Sequence, residues 1–207
     1  MKIAVFGARG RVGSKVCEIA ALRGHEVWEI EKETNVNQIP KVDVTIDFST
    51  AEATETVCEF CKKHHCVLVT GVTGRNPVQQ EKLEETKKSV TVKESANFSV
   101  GISKTYDVCR MLAGLGWDCE IVETHRKDKR DRPSGTANQL AQVIAQNGAR
   151  KVTIHSLRAG SNFGTHEIVF ATVGESITVT HRADNVNIFA LGSIKCAEEL
   201  CIKKAGC

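Results

Sequence analysis

Met1-Lys2-Ile3-Ala4-Val5-Phe6-Gly7-Ala8-Arg9-Gly10-Arg11-Val12-Gly13 joins an apolar run to a glycine-rich turn. Met1 to Phe6 is a nearly continuous apolar run, as a strand buried on both faces requires. Val16, Ile19, Ala20 and Leu22 then recur at helical spacing until Gly24 stops the helix. Three glycines at intervals of three therefore lie between a strand and a helix, the setting of a phosphate-cradling turn. Gly7 makes the tight turn, Gly10 admits a pyrophosphate to the backbone, and Gly13 lets helix and strand pack closely. A glycine triplet alone also fits an ordinary strand–helix turn. Its place directly after an apolar strand favours the nucleotide reading.

Working outward, a second strand runs from Glu26 to Glu31. Glu31 lies about 24 positions past Gly7, near the ~20-residue spacing of a carboxylate that takes ribose hydroxyls. Lys32 beside it suits a 2′-phosphate, although both are equally readable as solvated loop charges. Residues 34–41 are polar and leave little room for a crossover helix. The pattern then alternates: strand 42–48, Ser49-Thr50 as an N-cap, helix 51–63, strand 66–69, helix 77–88 and strand 90–93. This predicts an α/β fold, a doubly wound, Rossmann-type parallel sheet. Loops 7–13, 47–50, 70–74 and 94–99 should converge at the carboxyl ends of its strands. That brings Phe48, Ser49, Gly71, Val72, Thr73, Ala96, Asn97 and Phe98 toward one ligand crevice.

Beyond Gly101 the pattern changes. A helix (about 100–114), a strand (117–125) and a helix (134–147) precede three strand-like runs, 151–157, 167–173 and 175–182. No long helix separates these last runs, and Val173-Gly174-Glu175 is tight enough for a hairpin. A second, α+β domain with a mixed or antiparallel sheet follows. The expected division is 1–97 and 98–186. A final helix from Asn187, within 187–207 and apolar at Ile188, Phe189, Leu191 and Ile194, returns to the first domain.

Between that strand and helix lies Glu123-Thr124-His125-Arg126-Lys127-Asp128-Lys129-Arg130-Asp131-Arg132-Pro133-Ser134-Gly135-Thr136-Ala137. The backbone N–H groups of Ser134, Gly135 and Thr136 open a helix and lack intrahelical partners, which suits a small multiply charged anion. A solvated basic loop feeding an ordinary N-cap is the other reading, and at this level both stay open. Net charge is only +3 and 5% of residues are aromatic. None of the aromatics interleave with the basic loop, and Asp128 and Asp131 interrupt it, so nucleic acid is not an expected partner. No apolar run approaches the ~20 residues of a membrane span. Nine cysteines, an odd and scattered set, suggest reduced thiols and a cytoplasmic location. Cys58-x-x-Cys61 with His64, His65 and Cys66 imitates a metal cluster. But 58 and 61 fall within an amphipathic helix beside Val57 and Phe60, so packed thiols and no metal are expected.

With these motifs in place the chain resembles the dihydrodipicolinate reductases. The resemblance is carried by Gly7-x-x-Gly10-Arg11-Val12-Gly13, Asp47-Phe48-Ser49, Gly71-Val72-Thr73-Gly74, Ala96-Asn97-Phe98-Ser99-Val100-Gly101, the 123–137 block, Ser156-Leu157-Arg158-Ala159-Gly160 and Gly164-Thr165-His166. It implies hydride delivery from NADH or NADPH to a cyclic dicarboxylate, giving tetrahydrodipicolinate. It also implies His125 as proton donor, Lys129 facing the substrate, and Gly135 and Thr136, with Ser134, at a substrate carboxylate. Gly10, Arg11, Val12, Glu31, Gly71, Thr73 and 96–99 match cofactor-contacting positions. Arg126 stands where the family usually has a second histidine; it keeps a donor for carboxylate but cannot shuttle protons. Val72 replaces a usual threonine, and 183–187 lacks a common arginine. A homotetramer built through the second domain is also implied. Rival readings are a related two-domain imine or amino-acid dehydrogenase and a non-catalytic NAD(P)-sensing protein. The 123–137 block and the retained His125 and Lys129 argue against both.

Overall fold

The computed structural model describes residues 1–149 and 151–204. They form two compact units: Met1–Phe98 with the chain from Val186 onward, and Ser99–Asn185.

In the first unit β1 (Lys2–Phe6), α1 (Gly13–Leu22), β2 (Glu26–Ile30), β3 (Val44–Asp47), α2 (Thr54–His64), β4 (Val67–Thr70), α3 (Pro77–Lys87) and β5 (Val92–Glu94) alternate. The strands lie in the order β2-β1-β3-β4-β5, every pair parallel. Period-2 alternation divides the core. Ile3, Val5, Val44, Ile46, Val67 and Val69 meet α1 on one face, while Ala4, Phe6 and Leu68 meet α2 and Leu83 of α3 on the other. Both faces are thus buried, which is why these strands read as unbroken apolar runs. The crossover at 34–41 is a single 3-10 turn, Val36–Gln38. Cys58 and Cys61 lie in the core with Val57 and Phe60, and His64 stacks on Phe60. The eight described cysteines are free thiols, and Cys207 lies outside the described residues.

Two expectations change here. Ser49 and Thr50 do not cap a helix by their side chains; the Ser49 hydroxyl donates to Asp47 instead, and a 3-10 turn (Ala51–Ala53) precedes α2. The final helix, α6 (Asn187–Lys204), joins the first unit, packing beside α1. However, its buried residues are Ala190, Gly192, Ser193, Ile194 and Ala197, whereas Leu191 is half exposed. Small side chains let the helix axis come close to the sheet. Gly192 shows how close: a Cβ there would lie 1.7 Å from the carbonyl oxygen of Phe98.

The second unit contains α4 (Val100–Ala113), β6 (Asp118–His125), α5 (Gly135–Gln146), β7 (Val152–Arg158), β8 (Gly164–Thr172) and β9 (Glu175–Ala183), once α1–α3 and β1–β5 are counted in chain order. The sheet order is β7-β6-β8-β9; β6 and β7 are parallel and the other pairs antiparallel. The parallel pair follows from α5, which supplies the crossover, and Val173-Gly174 closes the β8–β9 hairpin with Gly174 at φ +91°. Strand limits differ from the sequence expectation mostly by one to three residues: β8 starts at Gly164 rather than 167. Ile102, Leu140 and Ile144 of the helices pack on Ile121, Ile168 and Phe170 of the sheet.

Gly192→Ala should destabilise the first unit by about 1–3 kcal/mol through overpacking against Phe98. Urea unfolding checks this; an unchanged midpoint would mean that α6 shifts without penalty.

Candidate active site

At the carboxyl ends of β1 to β4 two adjoining cavities open in the first unit. One, of about 800 Å³, is lined by Gly7, Gly10, Glu31, Lys32, Phe48 and Ser49 among others. The other, of about 410 Å³, is lined by Phe48, Ser49, Gly71, Val72 and Thr73 among others. Gly7 holds φ +72°, and a Cβ on it would lie 2.7 Å from the Phe48 carbonyl oxygen. A Cβ on Gly13 would sit 2.0 Å from the Gly7 oxygen, so helix and turn touch through backbone. Val12, the N-cap of α1, makes no side-chain cap bond. Glu31 turns back to accept the Arg9 N–H at 2.5 Å, and the Arg9 guanidinium pairs with Glu33 at 2.6 Å. Phe98 is not at the cavity surface; it is buried in the core and meets Phe48 edge to face, centroids 6.0 Å apart. Ala96 and Asn97 lie in the turn before it, where Ser95 donates to the Asn97 carbonyl at 2.7 Å. Arg11 is exposed at the start of α1.

Arg75 fixes the 70–74 loop. Its guanidinium donates to Thr70 Oγ1 at 2.7 Å, Val72 O at 2.8 Å and Glu94 Oε1 at 3.1 Å. Nothing in the sequence singled it out, because its role depends on which strand ends the sheet order brings together.

The second unit holds a different constellation. Alternation along β6 turns Cys119, Ile121, Glu123 and His125 inward. Glu123 has no exposed surface. Arg158, from the end of β7, grips its carboxylate bidentately at 2.7 and 2.9 Å. The Ser134 N–H reaches the same Oε1 at 3.3 Å, and His125 Nδ1 bonds Oε2. Ser134 caps α5, its Oγ accepting from Ala137 N–H at 3.2 Å and meeting His166 Nε2 at 3.3 Å. The His125 and His166 rings pack edge to face at 5.3 Å. Lys129 Nζ donates to both oxygens of Asp131 at 2.7 and 2.9 Å. Arg126 pairs with Asp128 at 2.7 Å.

The loop is therefore not simply solvated. Of the donors read from sequence, the Ser134 N–H is spent on Glu123. Helix start and cation loop are organised around an internal anion.

The family model for the N-terminus of dihydrodipicolinate reductase matches residues 1–98, and the one for its C-terminus matches 101–207. The chain belongs to the dihydrodipicolinate reductase family. A 4-hydroxy-tetrahydrodipicolinate reductase of Thermosipho africanus is 35% identical over 208 residues, covering all of this chain and 94% of that relative. One from Xanthomonas axonopodis pv. citri is 32% identical over 225 residues, again covering all of this chain and 94% of the relative. A dipicolinate-bound dihydrodipicolinate reductase from Paenisporosarcina sp. TG-14 matches the fold with TM-score 0.77 at 21% identity, over 97% of this chain and 94% of that one.

Membership makes the chain an oxidoreductase, and dihydrodipicolinate reductases draw on NADH or NADPH. The first unit fits such a dinucleotide: Gly7 and Gly10 line the larger cavity with bare backbone, in front of a helix start without a side-chain cap.

Burial lowers the proton affinity of His125, with Lys129 and Arg158 adding to it; Glu123 opposes without reversing it. Burial would raise Glu123, but bonds from Arg158, Ser156 and His125 hold it below the usual carboxylate range. His166 is pushed down to about 3, by burial first and then by His125. Glu123, Arg158 and His166 all lie in the family motifs, yet their roles were not legible. Burial of 123 with 125 was available from strand alternation, while Arg158 meets Glu123 only through the β6–β7 register.

A histidine kept neutral in the fold costs stability when the unfolded chain binds a proton first. The contribution is complete above the unfolded pKa of ~6.5 and declines as pH falls toward about 3. Between pH 6 and 4, wild type should lose about 1.4 kcal/mol per pH unit more than His166→Gln, which retains a polar group for Ser134. Urea titrations at several pH values measure this, and parallel slopes would refute it.

Proposed function

We propose that the chain reduces 4-hydroxy-tetrahydrodipicolinate to tetrahydrodipicolinate, with His125 giving the proton and Lys129 holding the substrate. The observation carrying this reading is the buried Glu123–His125 pair, bonded through Glu123 to Ser134 at the start of α5. The conversion removes the hydroxyl as water and adds one hydride and one proton. Bound NADH or NADPH supplies the hydride.

Everything else falls to side chains and backbone. Gly7, Gly10, Arg11, Val12 and Gly13 receive the pyrophosphate. Glu31 takes ribose hydroxyls, and Lys32 takes a 2′-phosphate when there is one. Phe48, Ser49, Gly71, Val72 and Thr73 border the nicotinamide end; Ala96, Asn97 and Phe98 support it, Phe98 through its contact with Phe48. A substrate carboxylate replaces Asp131 at Lys129 and meets Gly135 and Thr136, with Ser134 fixing that helix start. Arg126 exchanges Asp128 for the second carboxylate. His125 delivers its proton from Nε2. The first unit is thus the dinucleotide domain and the second the substrate domain. α4 and α5 cover one face of the second sheet; we assign its other face to homotetramer assembly. The free thiols suit a cytoplasmic setting.

His125→Ala should lower kcat by ~10²–10⁴ with cofactor affinity unchanged. Lys129→Ala should lower kcat and also raise KM for substrate. In wild type, kcat should rise as pH falls toward a limb below ~6.5, the direction set by burial of His125. Steady-state kinetics with separately measured cofactor binding decide this; near-normal turnover in His125→Ala removes the proton donor. For the dinucleotide end, Glu31→Ala should impair NADH more than NADPH and Lys32→Ala the reverse. Equal losses with both cofactors in both variants would refute the ribose assignment.

A further inference from the structure

We infer that Glu123, locked by Arg158, is a positioning residue that selects the tautomer of His125 and aims the start of α5. Its catalytic meaning rests on His125 being the proton donor. An ionised carboxylate only accepts hydrogen bonds. Both Glu123 oxygens are claimed: Oε1 by Arg158 Nη2 at 2.7 Å and the Ser134 N–H at 3.3 Å, Oε2 by Arg158 Nη1 at 2.9 Å and by His125 Nδ1. The Nδ1 of His125 must therefore carry hydrogen, which leaves Nε2 as the atom that takes and gives the proton. Nε2 lies against Gly164, where a Cβ would come within 2.9 Å. Glycine leaves room for the ring there, where a side chain would press on Nε2.

Arg158 is held as firmly as the residue it holds. Its side chain is 1% exposed, and it also donates to the Asp131 carbonyl at 2.6 Å and the Leu157 carbonyl at 2.7 Å. Buried ion pairs are poor stabilisers compared with apolar residues of the same volume. Stability alone does not account for this one. What the pair achieves is orientation: a single carboxylate fixes both the ring that titrates and the N-cap residue of the helix that meets the anion. The charged and titratable groups facing His125 are Glu123 on its own strand, Lys129 in the following loop, Arg158 on β7 and His166 on β8. Glu123 is the one anion among them.

Glu123→Gln tests the assignment because one amide orientation is favoured. With its oxygen at the Oε1 position the amide accepts from Arg158 Nη2 and the Ser134 N–H, and its NH₂ faces one fixed donor, Arg158 Nη1, rather than two, and turns to His125 Nδ1. Nδ1 must then accept, the neutral ring carries hydrogen on Nε2, and a second proton has no place. Nitrogen-15 NMR of labelled histidines, with His125 assigned by its loss in His125→Asn, reads both states. Wild type at pH 8 should show the Nδ1–H tautomer. Glu123→Gln should show Nε2–H, resist protonation to lower pH than wild type, and lose ~10²–10⁴ in kcat while binding cofactor normally. An Nε2–H wild type, or an unchanged tautomer in the variant, overturns the inference. A flipped tautomer with normal kcat upholds it and removes His125 as proton donor instead. The wild-type spectrum decides the tautomer even if the variant does not fold.

Discussion

A carboxylate stripped of water needs donors from the protein itself, and this constraint shapes the second unit. Glu123 faces inward because β6 alternates; once there it demands a cation and several N–H groups. The β6–β7 register answers by placing His125 opposite Arg158. That register depends in turn on α5, the crossover between the two strands, whose first turn also lends Ser134. Strand, helix start and histidine are therefore geometrically inseparable.

The first unit obeys a different constraint, the distance of closest approach between backbones. The Gly7 turn lies against Phe48, α1 lies against the Gly7 carbonyl, and α6 lies against Phe98. Each contact spends a side chain to gain proximity. At Gly7 and Gly13 the gain is a close turn beside the larger cavity; at Gly192 it is packing. The same residue type at similar closeness thus has two purposes, and position relative to the strand ends separates them.

What could be read from the sequence follows this division. The parallel sheet was legible because its central strands are mostly apolar and alternate with periodic helices. So was the second, mixed sheet, since the helices run out after 147. The glycine turn was legible from spacing, while His125 and Lys129 are candidates drawn from a family motif. Arg158 was not, because it acts on a group 35 residues away that only register brings near, and Arg75 was not, because its local bonds to Thr70 and Val72 are anchored by Glu94 on the neighbouring strand. The buried face of α6 was misjudged for another reason: large apolar residues attract attention, yet a helix packing closely on a sheet buries its small ones. Ser49 was read as a cap when Asp47, two residues earlier, offered its hydroxyl a better acceptor.

The return of α6 has a consequence for how the chain comes into being. The first unit is interrupted in sequence, with Ser99–Asn185 inserted between its strands and its last helix. During synthesis the face bearing Val5, Ile46 and Val69 is made early, while the helix contributing Ile194 and Ala197 to the same core is the last described element to leave the ribosome. The inserted unit has all its own strands and helices before then. Folding of the nascent chain should therefore run from the middle outward, with the parallel-sheet half completed only when its distant end arrives.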